Sequence, residues 1–161
     1  MLKLIACIDK NNSLGINNNL IYRFKEDLKI FKEKTLNHTV VMGRNTFESL
    51  NFKPLPNRNN IIVSSSSENP KDNSYKVIND IDKIFEFEKN EDIFITGGKK
   101  IYEYFSDYYN ELHLTIVKNE FTENYDVNKS VKLNLDLNKF NLISSQNFKQ
   151  FHICIYKRLP Q

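Results

Sequence analysis

A chain of 161 residues, 40% hydrophobic and 27% charged, can bury a core without metal or disulfide staples and is expected to form one domain over residues 1–161. The net charge of +3 is scattered, with Lys interleaved among Glu and Asp, which argues against a nucleic-acid partner and leaves a solvated surface with a bias toward anionic ligands. Two cysteines without CxxC spacing and no apolar run of membrane-spanning length argue against a disulfide framework, a zinc site and a membrane partner.

Leu2 to Ile8 is predicted as a buried strand, too short for a signal-peptide core, so a cytoplasmic location is expected. Asp9 to Arg23 is predicted as a long Asn-rich loop holding one glycine and the apolar group Leu20-Ile21-Tyr22. Phe24 to Thr35 has helical period, with Phe24, Leu28, Phe31 and Thr35 on one face. Thr39 to Met42 is a β-branched strand that ends at Gly43 and leads into a short helix through Phe47 and Leu50. Ile61 to Val63 is a strand running into four serines, Tyr75 to Ile78 a weak strand, and Ile81 to Phe87 a helix. Ile93 to Thr96 is a buried strand, broken by Gly97-Gly98 and followed by a helix through Tyr102 and Phe105. Leu112 to Val117, Lys139 to Ser144 and Phe148 to Tyr156 are strands without intervening helices, the last two forming a hairpin. This alternation predicts a three-layer α/β fold with a mostly parallel sheet and antiparallel C-terminal strands. Ligands in such sheets collect beyond the carboxyl ends of the strands.

The chain has only four glycines, and Gly43, Gly97 and Gly98 fall at strand-to-helix turns. A bare backbone there lets N–H groups approach a phosphate. Arg44, Ser64, Ser65 and Lys99-Lys100 lie just past strand ends as well, and together they could surround a phosphate. Taken singly they read as a helix-start Arg, a Ser-rich loop and an exposed Lys pair. No GxGxxG or GxxxxGK is present. Asp27 falls ~60–70° from the centre of the apolar helix face, a rim position where an acid can be half-buried with a raised pKa. The alternative is an ion pair with Arg23 or Lys34. Arg58, after Pro54-Leu55-Pro56-Asn57, is either a carboxylate clamp or a solvated loop residue. His38, His113 and His152 show no metal or triad spacing and are taken as structural.

Set in order, these segments resemble the dihydrofolate reductase family over essentially the whole chain. The residues that carry the resemblance are Leu4-Ile5-Ala6-Cys7-Ile8, Leu14-Gly15-Ile16, Asp27-x-x-x-Phe31-x-x-x-Thr35, Val40-Val41-Met42-Gly43-Arg44-x-Thr46-x-Glu48-Ser49, Pro54-Leu55-Pro56-x-Arg58, Ile61 to Ser64, Gly97-Gly98-x-x-Ile101-Tyr102 and Leu112-x-Leu114-Thr115. The resemblance implies an NADPH-dependent enzyme that reduces 7,8-dihydrofolate to tetrahydrofolate by hydride transfer to pterin C6 and protonation at N5. Asp27 would hold the pterin and promote protonation, with Thr115 behind it and Tyr22 ordering a nearby water. Ile5, Ala6, Leu28, Phe31, Leu50, Leu55 and Thr96 would line the substrate, and Arg58 would clamp its glutamate. Cys7, Leu14, Gly15, Leu20, Gly43, Arg44, Asn45, Thr46, Ser64, Ser65, Gly97, Gly98, Lys99, Lys100, Ile101 and Tyr102 would hold NADPH, with Arg44, Ser65 and Lys100 selecting its 2′-phosphate. A monomer with no metal is expected.

This chain departs from the family pattern at Ile21-Tyr22, where Pro-Trp is usual, at Thr96, and across Glu123 to Asn128, where a Gly-Asp-Thr-like turn is usual. A related pyrimidine reductase of riboflavin synthesis shares the fold but lacks the pattern of acid helix, Phe31 and Arg58. A non-catalytic folate- and NADPH-binding paralogue is the alternative of another class.

Overall fold

Successive strand residues face opposite sides of a sheet, and here both sides are apolar, so both must be covered. The computed structural model describes residues 1–161. The chain runs β1 (Leu2–Ile8), β2 (Ser13–Ile16), β3 (Asn19–Leu20), α1 (Lys25–Thr35), β4 (Thr39–Gly43), α2 (Arg44–Ser49), β5 (Asn59–Val63) and β6 (Lys76–Ile78). It continues with α3 (Ile84–Glu88), β7 (Ile93–Ile95), α4 (Lys99–Tyr104), β8 (Glu111–Val117), β9 (Val131–Lys132), β10 (Phe140–Asn147) and β11 (Phe151–Arg158). Eight strands form one sheet in the order β10-β11-β8-β1-β7-β4-β5-β6. Every pairing from β8 to β6 is parallel, and β11 runs against both β8 and β10.

The parity of each strand sorts its side chains into two cores. Leu2, Leu4, Ala6 and Ile8 of β1, Val41, Ile61, Ile93, Ile95, Leu112 and Leu114 join Ile84, Tyr102 and Phe105 in the larger one. The intervening residues Ile5, Val40, Met42, Ile62 and Phe94 join Phe47 in a smaller core, with Phe31, Leu50 and Leu55 against it. The helices α3 and α4 therefore cover one face, and α1 and α2 the other. Truncating a fully buried Leu or Ile here to Ala costs about 2–5 kcal/mol.

Residues Ile81–Lys83 form a 3-10 turn ahead of α3 instead of its first turn, the last strand begins at Phe151 and not at Phe148, and two further local features differ from the sequence expectation. The stripe of α1 turned toward the sheet is Asp27, Ile30, Phe31, Lys34 and Thr35, while Leu28 is 47% exposed. Asp27 thus sits within the sheet-facing stripe rather than at its rim, because the helix is rotated to place polar residues over β8. The segment 9–23 is also more than a loop: β2, β3 and β9 form a small second sheet. Asn17 and Asn18 take φ of 52° and 63°, the left-handed pair that a two-residue hairpin turn requires. Gly15 pairs with Leu20 across that hairpin, and a Cβ on it would lie 2.6 Å from the Asn19 carbonyl oxygen, so only glycine fits.

Candidate active site

Parallel strands β1 and β8 set Cys7 opposite Thr115, and α1 lays Asp27 across them. The Thr115 hydroxyl donates to Asp27 Oδ1 at 2.5 Å. Neither Arg23 nor Lys34 forms an ion pair with Asp27; its partner comes from 88 residues away. Burial pushes the Asp27 carboxyl up, and the Thr115 hydrogen bond and the charge of Lys34 pull partly against it. Burial, with Asp27 and Asp9 close by, drives the Cys7 thiol far above its ordinary range, so it is a neutral apolar neighbour.

Apolar walls stand beside this acid. Ile5 is buried, and Phe31, Leu50 and Leu55 are half-buried against the smaller core. Leu28 is exposed to solvent and packs in neither core, and Ala6 belongs to the larger core on the opposite face. The buried Asn60 side chain accepts from Leu55 N at 2.9 Å and donates to the carbonyls of Leu55 and Arg58 at 2.9 and 3.0 Å. This clamp fixes the turn that presents Arg58. The Arg58 guanidinium donates to the Pro56 carbonyl at 2.9 Å and, through Nη1, to Thr35 Oγ1 at 3.2 Å, which aims the fork while Nη2 makes no bond within the chain. The Thr96 hydroxyl donates to the Val41 carbonyl at 3.0 Å, so it ties β7 to β4 at the strand ends.

On the other side of those ends the glycines converge. Gly43 N donates to the Gly97 carbonyl at 2.8 Å, and Gly97-Gly98 is joined by a cis peptide. A Cβ on Gly43 would press the Ile101 side chain at 3.3 Å, whereas one on Gly98 would meet only Thr46 Oγ1, at 3.7 Å. Gly98 is therefore bare backbone facing open space. Tyr102 lies in the larger core, its hydroxyl donating to the Ile5 carbonyl at 2.8 Å. Arg44 is held by Glu48 Oε1 at 2.9 Å and Ser66 Oγ at 2.6 Å. Its chain neighbour Asn45 is exposed, as are Ser65 and Lys100, and the Lys99 ammonium pairs with Glu103 at 3.7 Å. Ser64 is buried and accepts from the backbone N–H groups of Ser66 and Ser67. An open groove of about 360 Å³ runs past Ser64, Ser65, Ser67, Asn79 and Lys83. Cations, hydroxyls and bare backbone on one rim fit a phosphate-bearing dinucleotide.

The first loop is tied down by Asp9 and Tyr125, which sequence reasoning missed, together with Tyr22, for which it expected another partner. Leu14 is buried, and Leu20 is 51% exposed on β3. The Tyr22 hydroxyl does not point toward Asp27 but donates to Asp9 Oδ2 at 2.7 Å and accepts from Glu123 N at 3.1 Å. Tyr125 donates to the same Asp9 oxygen, and the N–H groups of Asn11 and Ser13 donate to Oδ1 at 2.9 and 3.2 Å. Burial pushes the Asp9 carboxyl up, but the hydrogen bonds from Tyr125, Tyr22, Asn11 and Ser13 outweigh it and hold it below the usual range. The only signal in the sequence is an acid at the end of an apolar strand, with Tyr in two of the three departures from the family pattern, Ile21-Tyr22 and Glu123 to Asn128.

The family model described as "Dihydrofolate reductase" matches residues 1–158. Dihydrofolate reductase of Ureaplasma parvum is 41% identical over 156 residues, covering 97% of this chain and 96% of that one. The Bacillus subtilis enzyme of the same name is 34% identical over 121 residues, 75% of this chain and 71% of that one. Dihydrofolate reductase from Enterococcus faecalis, solved with NADP(H) and RAB-propyl, superposes with a TM-score of 0.83 over 98% of this chain and 96% of that one, at 24% identity. With a whole-length family match and a relative so similar along both chains, the protein belongs to the dihydrofolate reductase family.

Proposed function

We propose that the protein reduces 7,8-dihydrofolate to 5,6,7,8-tetrahydrofolate with NADPH, as its family membership implies. The observation that carries the reading is a half-buried carboxylate, Asp27, bonded to Thr115 and set between apolar walls and a bare glycine turn. NADPH, when bound, supplies the hydride that goes to pterin C6. Gly43, Thr46, Gly97, Gly98 and Ile101 would hold its nicotinamide end, and Arg44, Ser65 and Lys100 its 2′-phosphate. Asp27 accepts hydrogen bonds from the pterin's amino edge and, with its pKa raised by burial, promotes protonation at N5. Thr115 orients the carboxylate, and Phe31, Leu50 and Leu55 exclude water from the reacting atoms. Arg58 has a free edge for a substrate carboxylate. Tyr22 is in a place to shape the lip of the site, but its hydroxyl is committed to Asp9. Residues 1–161 act as one domain in this reading, as a monomer in the cytosol. No helix is long and apolar enough to cross a membrane.

The test is loss of NADPH absorbance with dihydrofolate, with NADH as control and sedimentation to give the mass. NADPH-specific loss is expected. Binding of both ligands without turnover would make the protein a folate-binding paralogue instead.

A further inference from the structure

Behind Asp27 lies a run of charged and polar side chains that the reaction as described does not use. β8 points Glu111, His113 and Thr115 toward α1, and β1 sets Lys3 opposite Glu111, Ile5 opposite His113 and Cys7 opposite Thr115. On α1, Asp27 and Lys34 are seven residues apart, two turns and so on one face. Helix side chains lean toward the N-terminus, which carries the Lys34 ammonium back along the helix. It meets His113 Nδ1 at 3.1 Å, and His113 Nε2 lies 3.0 Å from Glu111 Oε1. An ammonium has only protons to give, so Nδ1 must accept and Nε2–H must donate to Glu111. The imidazole is therefore neutral, in agreement with the burial that lowers its pKa to about 4. It is a dipole bridging a cation and an anion.

The remaining charges on this face are spoken for. Lys3 Nζ sits 3.3 Å from Asp92 and 3.8 Å from Glu111, and Asp92 also pairs with the N-terminal amine at 3.1 Å. Cys7 is held neutral. That leaves Lys34 as the cation standing between the Asp27 and Glu111 carboxylates, without touching Asp27. We infer that Lys34, gripped by a neutral His113 backed by Glu111, is a positioning residue that sets the pH at which Asp27 loses its proton, and with it the alkaline limit of turnover.

A nearby cation favours the ionised carboxylate, so it draws the midpoint of Asp27 down against the effect of burial. Removing the charge raises that midpoint. The size follows from one unit charge acting across roughly two helix turns through an effective dielectric near 20, which moves the midpoint by about one pH unit unscreened and by about half a unit once salt screening is included. Turnover on the alkaline side then rises about threefold relative to the wild type.

The inference rests on Asp27 as the acid of the proposed reaction, and the experiment separates the two. The Asp27 carboxyl is titrated by carbon NMR in the ligand-free chain, and kcat is followed against pH, for wild type, Lys34→Met, Lys34→Gln and Lys34→Arg. The expected result is an upward move of both midpoints by about half a pH unit in the Met and Gln variants, with the Arg variant within about 0.2 of wild type. Using two neutral variants guards against one that fails to fold. An unmoved Asp27 midpoint in a folded neutral variant overturns the role of Lys34. A carboxyl midpoint that moves while the kcat profile does not leaves Lys34 as the tuner of Asp27 but overturns its control of turnover, and with that Asp27 as the acid.

Discussion

Asp9→Asn tests the tie that holds the first loop. Asp9 is 1% exposed and accepts from four donors: Asn11 N, Ser13 N, Tyr22 and Tyr125. An amide keeps the shape but retains one acceptor oxygen, and its NH₂ faces donors at the other position. Each hydrogen bond to a charged acceptor is worth about 1.5–3 kcal/mol, and a buried donor left unmade costs about 1–3 kcal/mol. Tyr22 is buried and pays in full, while half-buried Tyr125 can turn to water, so a net loss of about 3 kcal/mol is expected at pH 7. The pH dependence has a definite sign. The folded-state pKa of Asp9 is depressed, so its contribution is present above the ordinary carboxylate range and is lost as pH falls through the folded value. Urea unfolding of wild type and variant at pH 7 and below pH 4 is the assay. The difference should shrink in acid. A loss under about 1 kcal/mol at pH 7, or one that grows in acid, refutes the cluster as a structural tie.

Asp27→Asn should lower kcat for dihydrofolate by about 100-fold or more while leaving NADPH affinity nearly unchanged, since general acid catalysis contributes 10²–10⁴; single-turnover kinetics with fluorescence binding would show it. Arg58→Ala should raise KM for dihydrofolate about tenfold or more with little change in kcat, and should leave a pterin lacking the glutamate unaffected. Arg44→Ala or Lys100→Ala should narrow the ratio of kcat/KM for NADPH over NADH, each by about tenfold, because a cation facing a phosphate is lost. An unchanged ratio in both would remove these residues from cofactor selection.

The periodic patterns in the chain are enough to determine most of the sheet. Leu2–Ile8, Thr39–Gly43 and Ile93–Ile95 are apolar on both parities, which only a strand covered on two faces explains. Scarce glycines at strand ends marked the convergence of Gly43, Gly97 and Gly98 for the same local reason. The spacing of Asp27, Phe31 and Thr35 placed them on one helix, but helical periodicity does not set the phase of that helix against the sheet. Tertiary packing decided it, turning Asp27 and Lys34 inward and leaving Leu28 exposed, because Thr115 and His113 on β8 satisfy polar groups there. The Asn17-Asn18 turn was a local possibility that became a hairpin only through pairing with β9. Asp9, Tyr22 and Tyr125 are more than ten residues apart in sequence at each step, and nothing in local spacing joins them. Local periodicity determined which residues form strands and helices; which polar groups meet was decided by the fold, since a buried hydrogen bond depends on distance in space and not along the chain.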